Sequence, residues 1–179
     1  MKRNKPILFA LSGLPASGKS TLSKFVAKKY NATYLRIDTI EQELKDLFNI
    51  DVQAEGYCLA YKIAIDNLKL GLNVIADSCN PIDITRKEWE IIAQSNNGEI
   101  INIEIICSDE KEHKKRSELR ISEIENLKSP NWDKIVSREY HKWEKEVIVI
   151  DTAHKTVEES ECELIQKIEN ILNKQITNR

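Results

Sequence analysis

The stretch GLPASGKST, residues 13–21, follows directly on the apolar run ILFALS, residues 7–12. Gly13 and Gly18 are separated by four residues, and Lys19 and Ser20 come next, which satisfies the pattern GxxxxGK[ST]. The glycines let the backbone curl until successive N–H groups converge on one anion. A helix starting at this point adds the positive end of its dipole. Lys19 has the reach to touch the β- and γ-phosphates of a nucleoside triphosphate, and the Ser20 hydroxyl can join a magnesium shell. In a chain of this length a chance match is on the order of one per cent or less, given average residue frequencies. A strand before and a helix after lower it further. The stretch therefore implies binding of a magnesium–nucleoside triphosphate through Gly13, Ala16, Ser17, Gly18, Lys19, Ser20 and Thr21.

Working outward, strand and helix patterns alternate. Leu22, Phe25, Val26 and Tyr30 recur at helical spacing behind the glycine motif. TYLRI reads as a second strand and TIEQELKDLF as a helix. YCLAYKIAIDNLKL predicts a longer helix that stops at Gly71, and NVIAD a third strand. In NPIDITRKEWEIIAQ, Asn80 is placed to cap a helix and Pro81 to occupy its first turn. EIINIEIIC and EVIVID predict strands four and five. Residues 108–145, between these two, are expected to be mostly helical and exposed. A last helix opens on the capping box of Thr156 and Glu159, with an apolar stripe of Leu164, Ile165, Ile168, Ile171 and Leu172. Such alternation predicts an α/β fold, a parallel sheet covered on both faces, over one domain spanning residues 1–179.

The charge is nearly balanced, with 27 Lys and Arg against 29 Asp and Glu, so no bulk basic field favours nucleic acid or a membrane. The opening MKRNKPILFALSG has the positive flank and short apolar run of a weak signal peptide. The run is too short to span a bilayer and leads into the glycine motif, so a buried strand and a cytoplasmic protein are expected. Cys58, Cys79, Cys107 and Cys162 are scattered singly, and His113, His141 and His154 are isolated among charges. Neither set has zinc or disulfide spacing, and surface or structural roles are expected for all seven.

The remaining candidates lie at strand ends and in the charged stretch. Asp38 is expected to end the second strand, on the carboxyl edge where open α/β sheets bind ligands, and there it can activate an acceptor hydroxyl as a general base. The same DTIE segment reads as a capping box of Asp38 and Glu41. Asp77, closing NVIAD beside the cradle, is placed to support Mg²⁺. Arg116 and Arg120, four residues apart, put two guanidinium groups on one helix face, where a lid can carry them over the phosphates. Arg86 lies on the helix after the third strand and is positioned either to steer an anionic acceptor or to face solvent.

Together these residues resemble the small P-loop kinases, a group with gluconate, shikimate and adenylylsulfate kinases, chloramphenicol phosphotransferase and the polynucleotide 5′-kinase domain. GLPASGKSTLSKFVA is similar to their P-loop, LRIDTIEQEL to their second-strand segment and GLNVIADSCNPIDITRKEWEIIA to their third strand and the helix after it. CSDEKEHKKRSELR resembles their lid, expected over roughly residues 109–130, and NWDKIVSREYHKWEKEVIVIDT their closing segment. The resemblance implies a P-loop NTPase fold, a three-layer α/β/α domain with a five-stranded sheet in the order 2-3-1-4-5. It also implies transfer of the γ-phosphate of ATP, with Mg²⁺, to a hydroxyl of a small molecule. In that reading Lys19, Asp38, Arg116 and Arg120 are catalytic, Ser20 and Asp77 hold the metal, and Asp38 and Arg86 meet the substrate. Adenine is expected near Asp151 and Thr152, and Trp132 and Trp143 are expected to pack under the lid. Two further readings stay open: a polynucleotide 5′-hydroxyl kinase, and an ATP-binding regulatory protein with little turnover.

Overall fold

Strand β1 (Ile7–Ser12) is buried almost from end to end, as a strand covered on both faces must be. Its side chains divide by alternation. Leu8 and Ala10 enter one apolar cluster with Leu35, Val74, Ala76 and Trp89, while Phe9 and Leu11 enter another with Leu22, Val26, Ile103 and Ile150. The computed structural model describes residues 5–177, with side chains as far as residue 174, so the start of the basic opening lies outside the described residues.

The strands β1, β2 (Thr33–Arg36), β3 (Val74–Asp77), β4 (Glu99–Ile106) and β5 (Ile148–Asp151) form one parallel sheet in the order β2-β3-β1-β4-β5. The register runs Leu8 opposite Val74 and Ile100, Leu35 opposite Ala76, and Ile105 opposite Ile150. Helices α1 (Lys19–Lys29) and α7 (Val157–Thr177) supply Leu22, Val26, Leu164 and Ile168 to one face. Helices α2 (Ile37–Phe48), α3 (Glu55–Lys69) and α4 (Asp83–Ser95) supply Ile37, Ala60, Ala64, Leu68 and Trp89 to the other. This is the P-loop NTPase architecture in three layers. Among the described residues no helix is long and apolar enough to cross a membrane.

Helix ends follow their local chemistry where the backbone allows it. Gly71, at φ 80°, turns the chain out of α3, and Leu72 N–H donates back to Asn67 O at 3.0 Å. Thr156 and Glu159 make the reciprocal capping box ahead of α7, with bonds of 2.8 and 3.1 Å. Two expected starts differ. Asn80 sits at φ 42°, a left-handed turn that a capping residue with extended backbone does not make, and α4 begins three residues later at Asp83 behind the extended Ile82. The chain passes from β2 into α2 with no loop, so Arg36 takes the cap position and Asp38 falls inside the first turn. Asp38 and Glu41 therefore form no capping box.

Residues 108–145 also carry less helix than their composition predicts. Helix α5 (Glu110–Leu119) and the short α6 (Trp132–Val136) are its only regular elements among the described residues. The rest is irregular, with side chains that are mostly exposed and fixed by polar contacts.

Candidate active site

Gly13 leaves β1 at φ 134°, and a Cβ there would come within 2.1 Å of Ile105 O. No side chain fits. Gly13 N–H donates to Cys79 O at 3.1 Å, tying the loop to the chain beyond β3. Ala16 and Gly18 continue with φ of 63° and 97°, and Ser17 N–H donates to Leu14 O at 3.3 Å. These positive torsions fold the loop into a concave nest ahead of α1. The first turn of α1 has no carboxylate and no side-chain cap, so its free N–H groups and positive dipole end remain available to an anion. Lys19 is only 7% exposed and donates to Leu14 O at 2.8 Å. The Ser17 hydroxyl is buried without a hydrogen-bond partner among the described residues.

A cleft of about 640 Å³ opens above this loop. Ala16, Gly18, Lys19, Ser20 and Thr21 line it; Gly13 and Ser17 lie buried beneath. Asp38, Asp77, Arg116 and Arg120 line it too, so side chains far apart in sequence share one space. Asp77 is 2% exposed; its Oδ2 accepts the Tyr34 hydroxyl at 2.6 Å and stands 3.9 Å from Arg36 Nε. Burial and the Asp77 carboxylate hold the Tyr34 hydroxyl well above the usual tyrosine range. Asp77 Oδ1 takes no hydrogen bond among the described residues. Asp38 makes neither a hydrogen bond nor an ion pair there.

Arg116 donates to the Thr152 hydroxyl at 2.8 Å and to Thr152 O at 2.9 Å, and it pairs with Glu112 on its own helix. The Thr152 hydroxyl donates in turn to Ser17 O at 2.9 Å. Its methyl would stand 3.4 Å from a Cβ at Gly18. The guanidinium on α5 is thus joined to the phosphate loop through the residue that follows β5. His113 strengthens the same junction, with Nε2 2.8 Å from Pro15 O and its ring edge-on to Trp132 at 5.3 Å. Arg120 falls just past the end of α5 and still lines the cleft. Asp151 does not line the cleft. Its carboxylate accepts the Ser108 and Ala153 N–H groups, each at 3.0 Å.

Arg86 is not brought into the cleft. It is 2% exposed; its Nε donates to Asn80 O at 3.0 Å, a second nitrogen lies 3.3 Å from Pro81 O, and a third stands 3.7 Å from Asp83. The Trp143 ring stacks on it at 4.1 Å and Tyr140 at 5.1 Å. These contacts engage its Nε, one Nη and its face, while the other Nη makes no hydrogen bond among the described residues, and they fix the segment before β5 onto the start of α4. Trp143 packs there, while Trp132 packs on α5; the two tryptophans do not share one place under a lid.

Glu41, Glu123, Arg138 and Cys79 are among the cleft residues that sequence reasoning gives no site role. Glu41, one turn beyond Asp38, lies against Gly56, where a Cβ would come within 2.3 Å of Glu41 Cγ. Burial, then the neighbouring Asp38 carboxylate, pushes its pKa up to about 7, against the opposing charges of Lys45 and Arg138. The i,i+3 spacing from Asp38 was the available signal, and it read equally well as a cap. Glu123 lies in the irregular stretch after α5 and bonds Lys24 and Arg36, the latter at 3.1 Å. Nothing in the sequence marks that contact. Arg138 follows α6 and reaches the cleft, as does Cys79, whose thiol burial raises above its ordinary range.

The AAA_33 family, described as an AAA domain, matches residues 8–138. The chain belongs to this family. No curated protein matches the sequence of this AAA domain. Among solved structures, it is similar to a candidate kinase of Chloroflexus aurantiacus J-10-fl, with TM-score 0.71 and 19% identity over 93% of this chain and 97% of the other. A gluconokinase from Sinorhizobium meliloti 1021 has TM-score 0.64 and 14% identity, covering 96% and 99%. The APS kinase of Mycobacterium tuberculosis in complex with AMPPNP and APS has TM-score 0.64 and 13% identity, covering 92% and 98%. At these identities the shared property is the fold, that of the small P-loop kinases.

Proposed function

We propose that this AAA domain is an ATP- and Mg²⁺-dependent phosphotransferase that moves the γ-phosphate of ATP to a hydroxyl of a small-molecule acceptor. The observation that carries the reading is the sharing of one cleft by the phosphate nest and by Asp38, a carboxylate with no internal partner. The nest and Lys19 hold the phosphates. Asp38 accepts the acceptor's proton as its oxygen bonds to the γ-phosphorus and the bond to the ADP oxygen breaks. Arg116 and Arg120, on the segment over residues 109–130, act as the lid that neutralises charge developing on the transferred group. Arg116 reaches it by exchanging Thr152 for phosphate.

The donor set fits magnesium. The Ser20 hydroxyl and the free oxygen of Asp77 would hold it, with most remaining ligands from phosphate and water, as this ion prefers. Among the described residues no three or more His, Cys, Asp or Glu side chains are grouped so as to hold a metal ion. When bound, the ion draws charge from the phosphate oxygens.

The test is transfer from labelled ATP with Mg²⁺ to polyols, sugar acids, nucleosides, adenylylsulfate, aminoglycosides and 5′-hydroxyl oligonucleotides. Lys19→Ala is expected to abolish transfer. Asp38→Asn is expected to retain ATP binding and lose transfer, and unchanged turnover in that variant would remove Asp38 from the mechanism. Product only from oligonucleotides, with binding that weakens steeply with salt, would favour the polynucleotide kinase reading. ATP binding without any product would favour the regulatory one.

A further inference from the structure

Asp77 closes β3 and is 2% exposed, yet its two carboxylate oxygens are treated differently by the protein around them. The Tyr34 hydroxyl donates to Oδ2 at 2.6 Å, while Oδ1 takes no hydrogen bond among the described residues. The pairing follows from the register of the sheet. Tyr34 stands opposite Ile75 and Arg36 opposite Asp77, so alternation along the strands sends all four side chains to one face. The Tyr34 ring packs there against the apolar cluster that holds Phe9, Leu22, Val26 and Ile75. A stiff ring rooted in the core thus carries its polar tip up to the carboxylate, and Tyr34 itself does not line the cleft. Arg36 does not share the task. Its Nε stands 3.9 Å from Oδ2, beyond hydrogen-bond range, and its Nη1 reaches Glu123 at 3.1 Å.

We propose that Tyr34 is a positioning residue for magnesium: its hydroxyl fixes the Asp77 carboxylate and leaves Oδ1 for the metal. The inference rests on the Mg²⁺-dependent phosphotransferase reading above and adds to it a residue from behind the cleft wall. Magnesium tolerates little departure from its preferred geometry and gives up water reluctantly, so a donor already aimed binds it better than one that must be ordered first. A carboxylate with no internal partner would turn about its last bond and offer either oxygen. With Oδ2 held, one orientation remains. The same hydrogen bond also spares Oδ2 the cost of burial without a donor. That service acts on folding with or without metal, whereas orientation acts on metal affinity alone, and the two are separable by experiment.

The test compares the affinity for the non-hydrolysable ATP analogue AMPPNP in Mg²⁺ and in EDTA, by calorimetry, because the ratio isolates what the metal contributes. Tyr34→Phe keeps the ring in its cluster and removes only the hydroxyl. It is expected to cut the ratio about tenfold while the affinity in EDTA stays within about twofold. Asp77→Asn is expected to cut the ratio at least as far, and adding Tyr34→Phe to it is expected to change nothing more. An unchanged ratio in Tyr34→Phe, beside a lowered one in Asp77→Asn, overturns the inference and leaves the magnesium role of Asp77 standing. A further loss of similar size in the double variant also overturns it, because Tyr34 would then act by a route other than Asp77. An unchanged ratio in Asp77→Asn overturns the metal role of Asp77 and the inference with it.

Discussion

Replacing Glu41 by Gln is expected to stabilise the protein, and only at the pH values where the native carboxyl is ionised. Burial and Asp38 raise its pKa from 4.5 to about 7 in the folded state. The folded protein therefore holds this proton more tightly than the unfolded chain does, and stability falls as pH rises between those two values. Each unit corresponds to about 1.4 kcal/mol, so the cost grows to about 3 kcal/mol above pH 7 and is under about 1 kcal/mol at pH 5. Gln has the same shape and no charge to desolvate. Urea unfolding of wild type and Glu41→Gln without nucleotide, at pH 5 and pH 8, reads the difference directly. A gain of about 3 kcal/mol at pH 8 that shrinks below about 1 kcal/mol at pH 5 is the expected result. A gain of equal size at both pH values would refute the reasoning, because it would owe nothing to ionisation at Glu41.

Three other substitutions test the frame around the cleft. Gly13→Ala places a methyl 2.1 Å from Ile105 O at φ 134°, and is expected to cost roughly 3 kcal/mol or more in urea unfolding. Glu123→Ala removes the bonds to Lys24 and Arg36; with Glu123 60% exposed, stability should change by under about 1 kcal/mol while limited proteolysis within residues 120–131 accelerates. Unchanged cleavage would show that Glu123 does not fasten that stretch. Arg86→Lys loses the stacked, forked geometry and is expected to lower stability by about 1–3 kcal/mol with the ATP and acceptor KM unaltered. A raised acceptor KM at full stability would return Arg86 to the substrate.

The sheet was legible because its signals are local. A strand buried on both faces is a short apolar run, the loop has its own spacing, and Thr156 with Glu159 announces α7 within four residues. The start of α4 was misread because Asn80 fits both a cap and a left-handed turn, and the side chain alone does not choose between them. Residues 108–145 were read as helix from their charge; their contacts, Glu123 with Lys24 and Arg36 or Trp143 with Arg86, join positions far apart in sequence. Such pairs have no periodicity to detect. The same reason hid Arg138 and the seating of Glu41 on Gly56, while Arg86, a plausible substrate arginine by position, turned out to be spent on the carbonyls of Asn80 and Pro81.

The two ends of the cleft are built from different materials. Around the phosphate loop the contacts run to main-chain oxygens, those of Cys79, Leu14 and Ser17, and the nest itself is peptide backbone. On the α2 side the wall is made of the side chains of Asp38, Glu41, Lys45 and Arg138, none tied to the scaffold by a hydrogen bond among the described residues. Backbone is rewritten only by changing the fold, whereas a side chain is rewritten by a single codon. Under the proposed function, a lineage carrying this architecture exchanges one acceptor for another by replacing side chains of this wall, while its way of holding the donor is inherited with the backbone.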